Sequence, residues 1–366
     1  MLKVIYSIGL DKFSKEAGIE NYYKKLNNSE YEFVLFDHRQ YLRKIIKNAF
    51  ELDQLYWNND RALYRTYGDL KKLINDFKAD ILIVGTDNIY HPEFIKNLNV
   101  YKVLASTDDP DAAYMRTVPY LWAFDHVTCV NVIYHKDIPV KMTNKLIEWG
   151  AKRATWCPMG ATETIYNPNL TENDILNKER NIDILYVGGP YREKRDYLLK
   201  IKKVFGKKFN LYGGWGLKVW GYYLLKGKWI WVKPLPMKSF VPTYQNAKIG
   251  INMHQSGELG NGRLYQLPAN GVMQICDCKD ILETVFEPDK EIVGFNTIDE
   301  AIELIGYYLE HDDERKKIAV AGFRRVMKDY KYPDVQYKLL KEIKKGMLEK
   351  GVKHSRDGTS IELDNN

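Results

Sequence analysis

Residues that could hold a phosphate surround Arg263 in the second half of the chain. Arg263 stands near the start of a helix-like stretch, GRLYQLPAN, which Gly271 ends before a short apolar segment, 272–276. An arginine at a helix start, beside free backbone N–H groups, can hold a diphosphate. These residues alone indicate an α/β domain with an anion site. A surface salt bridge is the alternative for Arg263.

A glycine turn offers a second phosphate contact. Gly188 and Gly189 follow an apolar predicted strand, and Arg195 comes shortly after them in VGGPYREKR. Glycine lets backbone N–H groups approach a ligand closely, and an arginine offsets charge that would otherwise be buried unpaired. A tight strand-to-helix turn without a ligand explains the same glycines.

Two further polar residues lie between these segments. His254 ends a predicted strand, and at the carboxyl end of a parallel strand a side chain can reach a bound ligand. Glu258 follows in the glycine-rich loop HQSGELGNG. Both are candidates for ligand contact, with a surface histidine and a solvated loop carboxylate as the alternatives.

A group of carboxylates follows a predicted strand in the first half of the chain. In STDDPD, Asp108 or Asp109 could accept the proton of an attacking hydroxyl as a general base, or cap the next helix. Asp125 in WAFDHV is a further candidate, with a structural hydrogen bond as its alternative. Asp109-x-Asp111 also fits a metal-binding D-x-D pattern, although three-residue patterns arise easily by chance.

An aromatic and basic stretch, 217–240, interleaves lysines with five large rings: Trp220, Tyr222, Tyr223, Trp229 and Trp231. Interfacial helices on anionic membranes have this pattern, and so do grooves for single-stranded nucleic acid. Packing of the rings into the domain is the interpretation we prefer. A peripheral membrane or nucleic-acid contact stays open as the alternative.

The elements that must position these residues alternate between apolar runs and helical stretches. Strands are predicted in the first half at 3–8, 31–37, 79–86, 101–107, 126–132 and 153–158. After a polar, turn-rich connection the pattern restarts, with strands at 181–189, 207–216, 247–254, 272–276 and 291–295. Near-continuous apolar runs separated by helices indicate parallel sheets covered on both faces.

This layout predicts two α/β units of similar length and a polar tail. The predicted boundaries are 1–166 for the first domain, 167–181 for the linker and 182–330 for the second domain, followed by a helix at 331–350. In the fold that this layout resembles, GT-B, the last helix often packs back on the first domain, and we expect the same here. Residues 351–366 are polar, and we expect them to be disordered.

Composition narrows the class of protein. A chain of 366 residues with a net charge of +7 is mildly basic, which suits phosphate-bearing ligands without implying nucleic acid. The sequence has no apolar run of transmembrane length, and we expect the short apolar stretch at its start to be a β-strand instead of a signal peptide. Cys276-x-Cys278 has no matching second pair, so we expect reduced thiols in a cytoplasmic protein instead of a zinc site.

One longer pattern extends over about sixty residues from Arg263. Its members are Arg263, Tyr265, Gln266, Gly271, Phe286-Glu287, Lys290-Glu291, Tyr307-Tyr308-Leu309, Glu314-Arg315, Ile318-Ala319 and Gly322. This stretch resembles the C-terminal segment of group-one glycosyltransferases, and most closely the spore-maturation CgeB-like branch. The family usually has glutamate where this chain has Gln266. An amide can accept a hydrogen bond from a hydroxyl but lacks the charge.

The resemblance implies a GT-B fold, in which two Rossmann-like domains face a cleft. It implies that the second domain binds a nucleotide sugar, with the glycine turn, Arg195 and Arg263 near the diphosphate. Glu258 and Gln266 are similar to a pair of family glutamates that contact the donor sugar and the ribose, which makes Glu258 a catalytic candidate together with Asp108 and Asp109. His254 is a donor-sugar candidate, and the first domain takes the acceptor beside Asp108 or Asp109.

The predicted function is a glycosyltransferase that moves a sugar from a nucleotide sugar to a hydroxyl acceptor, such as a glycan or a polymer. No cofactor or metal is expected, because the second α/β unit and the Arg263 segment have no place in the metal-using GT-A fold. The alternatives are a non-catalytic nucleotide- or glycan-binding protein of the same fold and a transferase acting on a nucleic-acid or membrane-bound acceptor.

Overall fold

A computed structural model gives the arrangement of the chain in two compact units. The first unit comprises Met1–Pro158 and Val335–Asn366, and the second comprises Met159–Asp334. The described residues are 1–10, 19–42, 46, 48–85, 89–135, 137–189, 192–254, 259–349, 353–354 and 360–361.

Six parallel strands form the sheet of the first unit. They are β1 (Leu2–Ile8), β2 (Tyr31–Asp37), β3 (Ile81–Gly85), β4 (Tyr101–Ser106), β5 (His126–Cys129) and β8 (Ala154–Trp156), in the spatial order β2-β1-β3-β4-β5-β8. A short antiparallel hairpin, β6 (Ile133–His135) and β7 (Ile138–Lys141), stands apart from this sheet. Every residue of β3 and β4 is buried, as expected for strands covered on both faces.

Capping residues mark the ends of the two longer helices described within the first unit. Asn48 and Asp60 accept backbone N–H bonds at the starts of these two, and Lys78 ends the longer one in a left-handed conformation. The helices are α1 (Ile19–Lys25), α2 (Ala49–Trp57), α3 (Arg61–Phe77), α4 (Pro92–Lys96), α5 (Ala113–Arg116) and α6 (Met142–Glu148).

The second unit has a sheet of five parallel strands. They are β9 (Ile182–Val187), β10 (Phe209–Tyr212), β11 (Ala247–Asn252), β12 (Met273–Cys276) and β13 (Val293–Gly294), in the order β10-β9-β11-β12-β13. Ile184, Ile249 and Ile275 are completely buried in the core of this unit.

The helices of the second unit include one inside the segment predicted as a linker. A capping box formed by Thr171 and Asp174 starts this helix, and Arg324 forms a salt bridge with its Glu172. The helices are α7 (Glu172–Asn177), α8 (Arg192–Phe205), α9 (Leu217–Leu225), α10 (Phe240–Gln245), α11 (Arg263–Ala269), α12 (Ile298–Glu310) and α13 (Asp312–Asp329).

The last helix, α14 (Tyr332–Glu349), begins in the second unit, and from Val335 onward it belongs to the first. Tyr337 stacks on Tyr31 with ring centroids 5.9 Å apart, and its hydroxyl donates to the carbonyl of Leu26. In the tail, β14 (Lys353–His354) pairs antiparallel with β15 (Ser360–Ile361); the remaining residues after 349 lie outside the described ones. Among the described residues, no helix combines the length and apolar character needed to cross a membrane.

Candidate functional site

Three strands of the second sheet end beside one another in small or polar residues. β9 is followed by Gly188 and Gly189, β10 by Gly213, and β11 by Met253 and His254. Because these strands are parallel, their carboxyl ends lie on the same edge of the sheet. Ligands of open α/β sheets bind outside this edge.

Arg263 is the first residue of α11, and its guanidinium bridges two strand ends. Nη1 donates to the carbonyl of Val187 at 2.8 Å and Nη2 to the carbonyl of Met253 at 2.9 Å. Nε donates to Oδ1 of Asn252 at 3.1 Å, and the guanidinium lies 4.7 Å from the ring centroid of Tyr186. Three of the five N–H groups are thus used inside the protein, which fixes the cation at the sheet edge.

The glycines at this edge are required by close packing. A Cβ atom on Gly188 would lie 2.1 Å from Nη1 of Arg263, and one on Gly213 would lie 1.9 Å from the carbonyl oxygen of Gly188. Gly188 also donates its backbone N–H to the carbonyl of Tyr212 at 3.0 Å. The turn therefore makes room for the arginine as well as leaving backbone exposed at the edge.

A buried histidine at the end of β11 pairs with a partly exposed aspartate. The backbone N–H of His254 donates to Oδ2 of Asp277 and its Nδ1 to Oδ1, each at 2.7 Å. Since a carboxylate only accepts hydrogen bonds, this pairing places the proton on Nδ1 and leaves Nε2 as an acceptor in the neutral ring. Nε2 is buried and has no hydrogen-bond partner among the described residues. Nε2 can accept a hydrogen bond from a hydroxyl group of a bound ligand.

Two more buried polar atoms at this edge have no partner among the described residues: Nδ2 of Asn252 and Nε1 of Trp215. Both are N–H donors. Trp215 stands two positions after Gly213, in the loop that follows β10. An unpaired buried donor costs free energy, about 1–3 kcal/mol, which a ligand oxygen would recover. The edge therefore offers hydrogen-bond donors and a fixed cation to an anionic or oxygen-rich ligand.

The other predicted residues of the second unit are placed less centrally. Arg195, on α8, lies over the rings of Tyr222 and Tyr223, 5.5 and 5.8 Å from their centroids. The side-chain nitrogen of Gln266 lies back against Gly262, 2.8 Å from where a Cβ of that glycine would stand. Glu258 lies outside the described residues.

Among the described residues, one group of side chains has the donor atoms and proximity of a metal site: His254, Asp277 and Cys278. Sequence reasoning considered Cys276 and Cys278 only as a C-x-C pair and missed Asp277. Asp277 already binds Nδ1 of His254, so hydrogen bonding alone accounts for the contact between these two residues.

At the carboxyl end of β4 in the first unit, the two candidate bases differ sharply in environment. Asp108 is exposed and paired with Arg116 at 2.7 Å. Asp109 is buried and accepts a hydrogen bond from the hydroxyl of Thr117 at 2.8 Å. Burial raises the pKa of the Asp109 carboxyl, while hydrogen bonds from Ser106 and Thr117 oppose the shift. Asp109 is therefore the better proton acceptor, and Asp108 is more accessible.

The D-x-D pattern is divided between the interior and the surface, because Asp109 is buried whereas Asp111 is exposed. Asp125 precedes β5 and accepts from the backbone N–H of Lys102 at 3.0 Å, at the amino edge of the sheet. It therefore lies at the opposite end of the strands from Asp108 and Asp109, which favours the structural alternative for Asp125.

Sequence reasoning missed a buried polar network in the first unit. The hydroxyl of Ser7 lies 2.7 Å from that of Tyr90 and 3.1 Å from Nδ1 of His38. Ser7 and His38 stand at the carboxyl ends of β1 and β2, at the same edge as Asp109. The only local signal was a histidine directly after a predicted strand.

Comparison with known proteins gives this geometry a context. Residues 192–340 match a family model described as glycosyl transferase-like. The match supports glycosyltransferase activity for the chain. His254, Arg263 and Gln266 fall within the matched region, and Gly188 and Gly189 lie just before it. Sequence similarity to a curated protein is not detectable.

Solved structures resemble the whole chain. Sucrose-phosphate synthase from Thermosynechococcus elongatus aligns with a TM-score of 0.62 at 10% identity, covering 95% of this chain and 100% of that one. Anabaena HepE, in complex with UDP and glucose, gives 0.59 at 9% identity, with 94% and 100% coverage. A putative UDP-N-acetylglucosamine 2-epimerase from Listeria monocytogenes gives 0.54 at 15% identity, with 95% and 97% coverage.

At these identities the likeness shows the fold. The predicted α/β architecture with two Rossmann-like sheets is confirmed. The glycosyltransferase resemblance is supported, whereas the CgeB-like branch remains a prediction.

Proposed function

We propose that the chain transfers a sugar from a nucleotide-sugar donor to a hydroxyl acceptor, and that the donor binds at the carboxyl edge of the second sheet. The observation that carries the proposal is the set of buried polar atoms beside Arg263 that have no hydrogen-bond partner in the described part of the chain, within and beside the glycosyl transferase-like region. The structural relative HepE, which was solved with UDP and glucose, supports a uridine diphosphate sugar as the first donor to test.

The chemistry divides between the two sheet edges. As the acceptor oxygen bonds to the anomeric carbon, the bond from that carbon to the diphosphate oxygen breaks and the nucleoside diphosphate leaves. Arg263 has two N–H groups left to offset the charge that develops on the leaving phosphate, and Asn252 and Trp215 add neutral donors. Nε2 of His254 accepts a hydrogen bond from a hydroxyl group of the donor sugar.

The acceptor is assigned to the first unit, where a carboxylate takes its proton. Asp109 suits this role because burial raises its pKa toward the pH at which it must exchange protons. Asp108 is the alternative base on the same loop. A divalent metal has no step in this proposal, because Arg263 and the N–H donors meet the phosphate charge.

Titration of the purified chain with UDP and with UDP-glucose in a calorimeter tests the donor site. Release of UDP from UDP-glucose, with and without simple sugar or polyol acceptors, tests turnover. Binding together with UDP release supports the proposal; the absence of binding across uridine, adenosine and guanosine diphosphates would overturn it.

A non-catalytic binding protein is the second candidate, and Gln266 in place of the family glutamate favours it. This candidate predicts nucleotide or glycan binding with no release of UDP above the rate without protein. The two functions are therefore separated by turnover, not by affinity.

A further inference from the structure

The segment from Trp215 to Lys233, which we call the aromatic hairpin, forms a projection on the second unit. α9 leads out, a turn at Lys226–Lys228 reverses the chain, and 229–232 returns. The return is fixed by Trp220, whose ring centroid lies 5.5 Å from that of Trp229, and by a hydrogen bond of 3.1 Å from the N–H of Trp215 to the carbonyl of Val232.

The base of the aromatic hairpin is anchored in the core. Trp215, Tyr223 and Val232 are buried members of the hydrophobic core of the second unit. The hydroxyl of Tyr223 also donates to Asp196 on α8 at 3.0 Å. The projection is therefore held in a defined position. Of the five rings predicted to pack into the domain, Tyr223 is buried, whereas Tyr222, Trp229 and Trp231 are exposed.

The tip, in contrast, exposes large apolar side chains. Leu225 is 92% exposed, Trp229 76% and Leu224 42%. Farther from the turn, Leu217 and Trp231 are also exposed, at 72% and 49%. Isolated exposed apolar residues are ordinary, but a group of them on one projection marks an interaction surface.

The charge on the aromatic hairpin is of one sign. Lys226 and Lys228 flank the turn at the tip, Lys218 and Lys233 stand nearer the base, and the sequence contains no acidic residue from 216 to 240. None of these four lysines forms a salt bridge within the described part of the chain. Lys226 instead donates to the hydroxyl of Tyr222 at 2.6 Å.

We infer that the aromatic hairpin binds the surface of a bilayer containing anionic lipids. Leu225 and Trp229 enter the boundary between headgroups and acyl chains, where tryptophan is favoured. Lys226 and Lys228, beside these two residues, lie at the level of the lipid phosphates, and each contributes attraction to a negatively charged leaflet. This inference does not depend on the proposed donor site.

The ring geometry favours a membrane over single-stranded nucleic acid. Bases stack on open aromatic faces. Trp220 instead meets Trp229 and Trp231 edge to face, with interplanar angles of 87° and 81°, so the rings partly cover one another. The most exposed residue, Leu225, offers no stacking face. A second copy of the chain is disfavoured because a symmetric contact would oppose lysines of the same sign.

Cosedimentation of the full chain with vesicles tests the inference. Vesicles of phosphatidylcholine and phosphatidylglycerol in equal parts should bind the protein, and pure phosphatidylcholine should bind it much less. Binding should weaken as salt screens the lysines. The tryptophan fluorescence should shift to the blue on binding, and this shift should shrink in Trp229→Ser.

Two double variants test the surface directly. Leu225→Ser with Trp229→Ser should weaken partitioning by at least about tenfold, because the inserted apolar area is lost. The matched control is Phe50→Ser with Trp57→Ser, which removes side chains of 71% and 67% exposure in the first unit. Lys226→Glu with Lys228→Glu should weaken binding by about tenfold or more, whereas the exposed pair Lys207→Glu with Lys208→Glu should have less effect.

Melting temperatures must match the parent for these comparisons to count, and exposure of the replaced side chains makes this the expected result. Absent binding to anionic vesicles, or equal binding by the hairpin variants and their controls, would overturn the inference. Two other results would overturn it in a protein that does not bind vesicles. One is binding of a single-stranded oligonucleotide that the hairpin variants abolish. The other is self-association, measured by sedimentation velocity, that the same variants abolish.

Discussion

The carboxyl edges of the two parallel sheets are built alike but carry opposite chemistry. The second sheet ends in glycines, a fixed arginine and N–H donors, with Arg263 tied to the ends of β9 and β11. The first sheet ends in hydroxyls and a buried carboxylate, Asp109. The backbone topology thus supplies an edge, and the residues just beyond each strand decide whether it suits an anion or a proton donor.

The largest expected effect is on turnover and comes from Asp109, at the carboxyl edge of the first sheet. Asp109→Asn should lower turnover by about 10²–10⁴-fold while nucleotide affinity is retained. The asparagine oxygen can still accept from Thr117, so the fold should persist. Asp108→Asn, which weakens the exposed ion pair with Arg116, tests the alternative base on the same loop. The helix after this loop has Ala112 at its N-cap and no side-chain capping bond, which is against the helix-cap alternative for either aspartate. Rates and melting temperatures measured on both variants distinguish a base from a structural hydrogen-bonding residue; full activity in both would remove the catalytic assignment.

The same variant has a pH signature. Burial raises the pKa of Asp109, so the native state holds its proton more tightly than the unfolded state does. The stability contributed by this group therefore falls as pH rises through the native pKa. Asp109→Asn should remove that loss and melt no lower than the parent at neutral pH. A large drop in melting temperature at neutral pH would contradict this account.

The next effect is on nucleotide affinity and comes from Arg263, at the carboxyl edge of the second sheet, called the anion edge. Arg263→Ala should weaken nucleoside diphosphate binding by about 1.5–3 kcal/mol, the range for hydrogen bonds to charged groups. It should also lower the melting temperature, because the carbonyls of Val187 and Met253 lose their donor. Arg195→Ala should cost less affinity, since that guanidinium lies over Tyr222 and Tyr223. Calorimetry showing unchanged affinity in Arg263→Ala would exclude the phosphate role.

A smaller effect should follow from crowding the same arginine. Gly188→Ala places a Cβ against Nη1 of Arg263, which must shift, and we expect a loss of about 1–3 kcal/mol in the free energy of unfolding. Gly221→Ala is the control, because a Cβ there meets nothing within 4 Å and the residue lies inside α9. Denaturant titration should show the first destabilised and the second unchanged or more stable. Equal behaviour would mean that the turn relaxes freely.

The histidine at the anion edge should respond more weakly still. Asp277→Asn removes the carboxylate that holds the proton of His254 on Nδ1, so the KM for a nucleotide sugar should rise by about tenfold while the affinity for the nucleotide alone is unchanged. Asp280→Asn, at an exposed site that contacts Asn296, is the control. Parallel losses in both affinities would indicate general distortion of the edge.

Removal of divalent metal should have the smallest effect. We expect EDTA to leave turnover unchanged, since the N–H donors and Arg263 meet the phosphate charge. Activity lost to EDTA and restored by manganese would revive the D-x-D interpretation of Asp109 and Asp111. Restoration by zinc alone would instead implicate His254, Asp277 and Cys278.

The strands were predictable because burial on both faces leaves a continuous apolar run. The run from Tyr31 to Asp37 was predicted with the bounds it has in the structure, and β3 and β4 differ only at their ends. Carboxyl ends of strands then indicate where ligand-binding residues lie, which is why His254 and Asp109 fall at sheet edges.

Pairwise contacts were not predictable in the same way. Ser7 and Tyr90 are separated by 83 residues, and His254 and Asp277 by 23. A single sequence carries no signal for such pairs, because each residue alone fits many environments. The aromatic hairpin shows the same limit: Tyr223 is buried and Trp229 exposed, although both stand in one aromatic and basic stretch.

The path of α14 has a consequence for how the chain is assembled during synthesis. The second unit is one continuous segment, whereas the first unit is completed by residues that follow it. The hydrogen bond between Tyr337 and Leu26 joins residues 311 positions apart. A nascent chain can therefore finish the second unit while the first still lacks its last helix, and the apolar surface that α14 covers stays open until translation passes residue 349.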